Sequence, residues 1–508
     1  MNNFILKISD YLLAFNMVKR LERINKMLFV FVLLGLSFLT FKLTENEEQY
    51  MLYAKQFMNR DWIIADSLNE FAGTRILYQI IIGWLLSFIS FEWVLFFSRL
   101  VLCVFFSHVL SKIYKELKIS NVQVLLHLPI LFLTKQSLFA GSWMLISVEP
   151  KGFAWLLVLY ALYYFIKKNY KYMVVFLVFG TYIHILVGGY SFLCFMMVLF
   201  LFDKSKPTFY YIKLAIAYCF LIIPFIIYLK TAVDSTVEYT PSVDWIYSYY
   251  RHPHHIGLFK DLSYFYSKHF IGVILSGIAL IFSILFFRIQ TTERLERLNQ
   301  FVLVSLFGVL IAVLIAFFDK EGAIIKYYPF RINTLTVFVL TLILSSLVFI
   351  SVKKEYKSAY SILIVFLSTI FLLQLAQPNF KNIYSFLTKT DTRMERLSVY
   401  IKTETERDAV VLNATGELSL TRHIERDPFV EYKFIPAIMS EIPGWYERVL
   451  FKNSLLQDIQ VLKHKEHSYT IDFILTKRSI DVEFLELVYA DVGYYLYKVD
   501  LEKNNEYR

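Results

Sequence analysis

Cysteine and charge are both scarce in this chain. Only three cysteines occur among 508 residues, Cys103, Cys194 and Cys219, and all lie inside apolar segments, which excludes a disulfide framework and a cysteine-based metal site. Charged residues make up 19% against 57% hydrophobic, with 49 Phe and 36 Tyr, a balance that suits repeated membrane spans rather than a soluble core. Internal repeats are lacking, which argues against many transporter folds. No small-residue cleavage pattern follows the first apolar run, Met27 to Phe41, so that run reads as a retained helix and not as a signal peptide. The formal charge of +10 falls largely in short loops between apolar stretches. There it sets membrane orientation, and nucleic acid is not indicated as a partner.

What is present is a series of apolar stretches long enough to span, near 27–43, 93–111, 120–140, 152–166, 209–229, 269–287, 300–318, 330–352 and 357–376. The interval 172–202 is too long for one crossing at about 1.5 Å per residue, and His184 with Gly188-Gly189 interrupts it, so two short helices meeting at an apex are expected. The stretch 76–91 is short for a span. If it lies in the membrane interface, every basic cluster falls on the cytoplasmic side: Lys19/Arg20/Arg23/Lys26, Lys112/Lys115/Lys118, Lys167/Lys168/Lys171, Lys204/Lys206, Arg288/Arg294/Arg297 and Lys353/Lys354/Lys357. The expected architecture is an all-α polytopic membrane protein of about eleven transmembrane helices with a small extracytoplasmic α/β domain at its carboxyl end. Residues 1–26 form a cytoplasmic segment, 27–376 the transmembrane domain with an external loop at 44–92, and 377–508 the external domain.

In that domain, Ala409 to Leu412 and Thr470 to Leu475 read as strands, Val430 to Lys433 alternates, and 443–462 carries a helical pattern. Phe484 to Tyr489 and Tyr494 to Val499 flank Asp491-Val492-Gly493 as a hairpin. With neither a Gly-rich phosphate loop nor a clustered acid pair, the domain reads as a lid or docking surface. Asn413-Ala414-Thr415 matches a glycosylation sequon, a triplet that also arises by chance.

The loop 44–92 opens on Thr44-Glu45-Asn46-Glu47-Glu48-Gln49-Tyr50. Carboxylates at the mouth of a helical bundle suit a general base acting on a substrate held at the membrane surface. Tyr50 to Met58, followed by Arg60-Asp61-Trp62-Ile63-Ile64 and Arg75-Ile76-Leu77-Tyr78, resembles the first external loop of the GT-C membrane glycosyltransferases, in particular the aminoarabinose transferase and protein O-mannosyltransferase branch. In that branch an Asp-Glu pair precedes the aligned Tyr and the Asp is the base. Here Asn46 stands at the Asp position and Glu47 at the Glu position, so the resemblance implies Glu47 or Glu45 as base. Glu149, in Ser147-Val148-Glu149-Pro150-Lys151, is similar to a second acidic position of the superfamily, which also has an interfacial helix. The likeness covers about 110 residues of the 508.

Such an enzyme moves a sugar from a polyprenyl phosphate or pyrophosphate in the outer leaflet to a glycan, lipid or protein acceptor, in assembly of cell-surface polysaccharide or glycoconjugate. A base must take the acceptor proton and cations must hold the departing phosphate. Glu47, Glu45 and Glu149 fit the first task. Arg251, His252, His254, His255, Lys151, Arg75, Lys320 and Arg331 fit the second, with His184 as a further contact. Each has a plainer reading. The acids of the first loop form a solvated face, Glu149 favours a helix N-terminus, His184 is a structural histidine, and Arg331 is an interfacial anchor. The histidines at 252–255 lack helical i, i+4 spacing and Pro253 interrupts them, so no metal pattern stands out and a divalent cation is compatible without being indicated. The competing classes are a polysaccharide polymerase or ligase of another membrane fold and a non-catalytic transporter or assembly protein.

Overall fold

The computed structural model describes residues 16, 18–65, 68, 75–141, 143–233, 237–289, 291–351, 356–389, 392–463 and 469–500. The chain divides into two compact units. The first comprises Met1–Phe41, Leu95–Ile226 and Ser248–Ile383; the second comprises Lys42–Val94, Ile227–Tyr247 and Tyr384–Arg508.

The first unit is a bundle of apolar helices. Among the described residues, six helices are long and apolar enough to cross a membrane: Phe91–Glu116, Ile185–Phe202, Thr208–Lys230, Glu293–Phe318, Ile325–Ser351 and Lys357–Thr388. A seventh is the pair Leu262–Lys268 and Phe270–Phe286, bent by 58°, if it counts as one span. These are the features of a multi-pass membrane protein. Five further apolar helices, Lys26–Phe38, Ile76–Leu86, Asn121–Leu133, Pro150–Ile166 and Tyr170–Ile183, are shorter, so length alone supports six or seven crossings and not the expected eleven. The helix Ile76–Leu86 has 11 residues. At roughly 1.5 Å each they rise about 16 Å, well short of a hydrocarbon core of about 30 Å.

Two departures from the apolar pattern have local causes. The stretch 120–140 is helical only over Asn121–Leu133, opened by a Ser120–Gln123 capping box. Lys135 and Gln136 then take left-handed backbone (φ 50° and 58°), and the buried Gln136 Oε1 accepts hydrogen bonds from the backbone N–H of Met144 and Leu145 at 2.8 and 2.9 Å. The apolar residues beyond therefore fold as a tethered loop. The interval 172–202 does divide into two helices, Tyr170–Ile183 and Ile185–Phe202, with His184 extended between them. The second packs so closely on the first that a Cβ on Gly188 would lie 2.3 Å from Thr181 Oγ1, which only glycine permits.

Basic clusters gather at one end of these helices. There Arg294 pairs with Glu116 at 2.5 Å and Arg297, itself buried, with Asp203 at 3.5 Å, tying together the turns after Phe91–Glu116 and Ile185–Phe202 and the start of Glu293–Phe318. Lys353 and Lys354 lie outside the described residues.

The second unit centres on a five-stranded sheet of order β2-β1-β3-β5-β4, with β1 Val410–Asn413, β2 Asp427–Pro428, β3 Phe473–Thr476, β4 Leu485–Asp491 and β5 Tyr494–Val499. β1 runs parallel to β2 and β3, whereas β5 is antiparallel to β3 and β4. Gly493, at φ 92°, turns the β4–β5 hairpin expected around Asp491-Val492-Gly493. Leu397 and Ile401 of the helix Arg393–Glu404 pack on Val411, Leu475 and Leu496 to form the core. Residues 430–433 are not a strand: the backbone turns there, Phe434 N–H donating to the carbonyl of Glu431 at 2.9 Å. The helices Glu45–Met58 and Ile76–Leu86 join this unit and meet at Gly83, where a Cβ would lie 2.1 Å from the carbonyl oxygen of Ala54.

Candidate functional site

The expected site residues divide between the units. Glu149, Lys151, His184, Arg251, His252, His254, His255, Lys320 and Arg331 belong to the first; Glu45, Glu47 and Arg75 belong to the second.

In the first unit, the segment 147–151 turns sharply into the helix Pro150–Ile166, with Glu149 as its N-cap and Pro150 in the first turn. Gly152 is obligatory there, since a Cβ would lie 2.1 Å from the carbonyl oxygen of Ser147. The Glu149 carboxylate makes no cap hydrogen bond. Instead Lys151 Nζ lies 2.9 Å from Oε2, with side chains only 8% and 2% exposed, an electrostatic pair without directed hydrogen-bond geometry. A buried carboxylate held by one ammonium keeps accepting capacity for another donor.

Arg251, also buried, ends the π-helical turn Ile246–Arg251. The next residues close a tight turn in which the N–H groups of His255 and Ile256 both donate to the carbonyl of His252 at 3.0 Å. This turn gathers its imidazoles at a tilt, with ring centroids of His254 and His255 4.2 Å apart and those of His252 and His254 6.4 Å apart. Burial, together with the neighbouring His254, Lys151, Arg331 and His252, holds the His255 imidazole well below its ordinary pKa. At neutral pH it is uncharged, able to donate from one nitrogen and accept at the other.

Tyr328 joins the histidines to Arg331. Its ring centroid is 5.8 Å from His252 and 6.1 Å from His255, and the Arg331 guanidinium lies 4.5 Å above the same ring. Tyr328 holds left-handed backbone at φ 54°, unusual for a non-glycine residue, between two 3-10 turns. Around it the loop is braced: the Asp319 carboxylate accepts from the N–H groups of Ala323, Ile324 and Ile325 at 3.0, 2.8 and 2.9 Å, and Ser248 Oγ donates to the carbonyl of Gly322 at 3.2 Å. The result is a rigid turn carrying cations and neutral imidazoles beside a buried carboxylate. It sits where Pro150–Ile166 and Asn333–Ser351 begin and Glu293–Phe318 ends, opposite the basic clusters on the same helices. His184 stands at the break between its two helices, and Lys320 is exposed against Phe317 at 5.0 Å. Among the described residues no three His, Cys, Asp or Glu side chains are grouped to hold a metal ion.

In the second unit, Glu47 is fully buried as half of a capping box. Its Oε2 accepts from Thr44 N–H and Thr44 Oγ1, both at 2.9 Å, while its own N–H donates to Thr44 Oγ1 at 3.3 Å. The Thr-x-x-Glu spacing announces this role, and a cap, rather than a poised base, is what the geometry gives. Glu45 is exposed, 3.7 Å from Lys433, and the Arg75 guanidinium lies 4.9 Å over Tyr50. Glu48, one of the loop acids expected on a solvated face, is buried: Arg422 reaches it through Nε at 2.7 Å and Glu92 through Nη1 at 2.8 Å. Nothing local signals this triad, because Arg422 is 374 positions from Glu48 and 330 from Glu92. The sequon asparagine is 5% exposed, and its Nδ2 donates to the Glu417 carbonyl and to Glu431 Oε1 at 3.0 and 2.8 Å, so the folded domain does not offer it for glycosylation.

The chain matches no protein-family model and no curated protein sequence.

Proposed function

We propose that this protein is a membrane glycosyltransferase of GT-C type that takes a sugar from a polyprenyl phosphate or pyrophosphate and transfers it to an acceptor at the outer face of the membrane. One observation carries the reading: a buried carboxylate, Glu149, lies beside Lys151 in a turn region that also gathers Arg331 and the neutral His255, at one end of an apolar helical bundle. Sugar transfer breaks the bond between the anomeric carbon and the phosphate oxygen and forms one to the acceptor, whose proton must go to a base. Glu149 takes that proton, and Lys151, Arg251 and Arg331 stabilise the charge left on the phosphate, with His252 and His255 donating hydrogen bonds. Bidentate guanidinium donors suit a phosphate better than a lone ammonium does. Glu47, the base that the family resemblance suggests, serves here to cap its helix.

On this reading the basic clusters face the cytoplasm, the amino terminus is inside, and the short apolar helices complete about eleven passes in the plasma membrane, with Ile76–Leu86 lying in the interface. The carboxyl-terminal domain is then extracytoplasmic. The test is deletion in the native cell, with polyprenyl-linked sugars and surface glycans analysed by mass spectrometry and complementation by wild type and Glu149→Gln. Accumulation of one lipid-linked sugar with loss of that sugar from a glycan, restored by wild type and not by the variant, is the expected result. Unchanged lipid-linked sugars and glycans would refute the proposal.

A further inference from the structure

At the basic end of the helical bundle three acids already hold cations: Glu116 is taken by Arg294, Asp203 by Arg297 and Glu293 by Lys168. Two other lysines there are not spent in this way. Lys112 lies one turn before the end of the helix Phe91–Glu116, and Lys167 directly follows the helix Pro150–Ile166. Both ammonium groups converge on one ring, that of Tyr163, at 5.6 and 5.7 Å from its centroid. Among the described residues neither forms an ion pair with a carboxylate; Glu116, four residues beyond Lys112, is the one that Arg294 takes. A ring face attracts an ammonium group but accepts none of its three N–H donors as an oxygen would, so both lysines keep donors for an anion.

An apolar surface leads away from these cations. Tyr163 meets Tyr164 edge-on at 5.1 Å, and Tyr164 stacks at 5.2 and 5.5 Å on Tyr172 and Phe176 of the neighbouring helix Tyr170–Ile183. From Tyr172 an exposed stripe continues through Val175 and Phe179, three and four residues apart on one helix face. In a membrane that stripe meets acyl chains, while tyrosine rings with one polar end settle at the boundary with the headgroups. Cations, then rings, then an apolar stripe follow the order of phosphate, glycerol and acyl chain in a phospholipid. Free phosphate or a soluble polyanion would match the cations and leave the stripe unused. A zwitterionic lipid brings an ammonium of its own, which the lysines repel.

We infer that Lys112, Lys167 and Tyr163 bind the headgroup of an anionic phospholipid whose acyl chain lies along Tyr172, Val175 and Phe179. Basic pockets between apolar helices are suited to such headgroups. The site stands at the opposite end of the helix Pro150–Ile166 from Glu149, and it does not depend on the transfer chemistry.

Native mass spectrometry of the full chain in detergent tests it, with phosphatidylglycerol and phosphatidylcholine of identical acyl chains added at equal concentration. Phosphatidylglycerol adducts are expected to exceed phosphatidylcholine adducts at least tenfold, since each lysine beside an anionic headgroup is worth about fivefold in binding. Lys112→Gln/Lys167→Gln should abolish the preference and Lys112→Arg/Lys167→Arg should keep it. Lys204→Gln/Lys206→Gln, which removes two exposed cations of another basic cluster, should leave it unchanged. All three double variants should keep the wild-type thermal transition, because no ion pair of Lys112 or Lys167 is lost. No preference in wild type, a preference kept in Lys112→Gln/Lys167→Gln, or one lost equally in Lys204→Gln/Lys206→Gln would each overturn the inference. Displacement of the lipid by millimolar inorganic phosphate would overturn it too, by marking a plain anion site. Binding is read without turnover, so a protein that transfers no sugar can still pass this test, and an active transferase can still fail it.

Discussion

A single guanidinium, Arg422, faces two carboxylates, Glu48 and Glu92, with side chains 10%, 10% and 19% exposed, so the triad keeps one net negative charge largely out of water. Burial pushes the Glu48 carboxyl above its ordinary range despite Arg422. Arg422→Met should cost about 3–5 kcal/mol, because two acids are left facing each other without a cation. Thermal unfolding of the full chain reads this, and the loss should be smaller at pH 5 than at pH 7.5, since protonating Glu48 relieves the repulsion. Next to it, burial and then Arg422 lower the His423 pKa from 6.5 to about 4. The folded form thus resists protonation that the unfolded chain accepts. The His423 contribution is fully present above pH 6.5 and is lost as the pH falls toward 4, on the order of 2 kcal/mol after allowing for solvent screening. His423→Gln should flatten the acid limb of a stability-versus-pH curve; an unchanged limb would remove His423 as its cause. In the first unit, Glu149→Gln should lower transfer about 10²- to 10⁴-fold, the usual worth of a general base. Glu149 and Lys151 were each legible as candidates because they flank a proline at a helix start, whereas their ion pair emerged only in the structure. Arg422 was not, since its partners lie hundreds of residues away and a lone arginine in a tail carries no pattern.

Helix ends and crossings decide more here than helix interiors. Glu47→Gln keeps an acceptor and a donor at the N3 position, so the capping box survives and stability should change by no more than a few tenths of a kcal/mol, whereas Thr44→Ala should cost about 1 kcal/mol. If Glu47→Gln also retains transfer while Glu149→Gln does not, the cap assignment holds; loss of transfer in Glu47→Gln at wild-type stability would return the base to Glu47. Gly83→Ala should be worse than either substitution at the cap, roughly 2 kcal/mol or more, because the backbone of Ala54 cannot yield as a side chain would. The hairpin at Asp491-Val492-Gly493 was visible in the sequence because Gly493 takes left-handed backbone; the break at His184 was visible as an interruption, although Gly188 and Gly189 lie inside the second helix. The end of the helix Asn121–Leu133 was not, because hydropathy continues past it. A buried glutamine side chain, Gln136, and two left-handed residues stop the helix there, and neither feature registers in an apolar count.

For the whole molecule, hydropathy and the change of residue pattern in the tail separated apolar helices suited to a membrane from a strand-containing carboxyl-terminal region, and both kinds of element are present. The number of crossings was less legible, because several apolar runs fold as helices of 11 to 17 residues whose fate depends on packing and tilt. Alkaline phosphatase fused after residue 500 should be active and a fusion after Lys204 inactive, fixing the carboxyl-terminal unit outside and the basic loops inside; the reverse pattern would invert the proposed orientation. The second unit is assembled from three separate stretches of chain, 42–94, 227–247 and 384–508. During synthesis its first piece ends at residue 94, 290 residues before its last piece begins at residue 384. Until Arg422 leaves the ribosome, Glu48 and Glu92 have no guanidinium to meet, so the early loop must wait, exposed, while most of the bundle is inserted. A chain stopped short of residue 384 would then be marked by that unfinished loop, which gives the cell's quality-control proteases a means of telling partial products from complete ones.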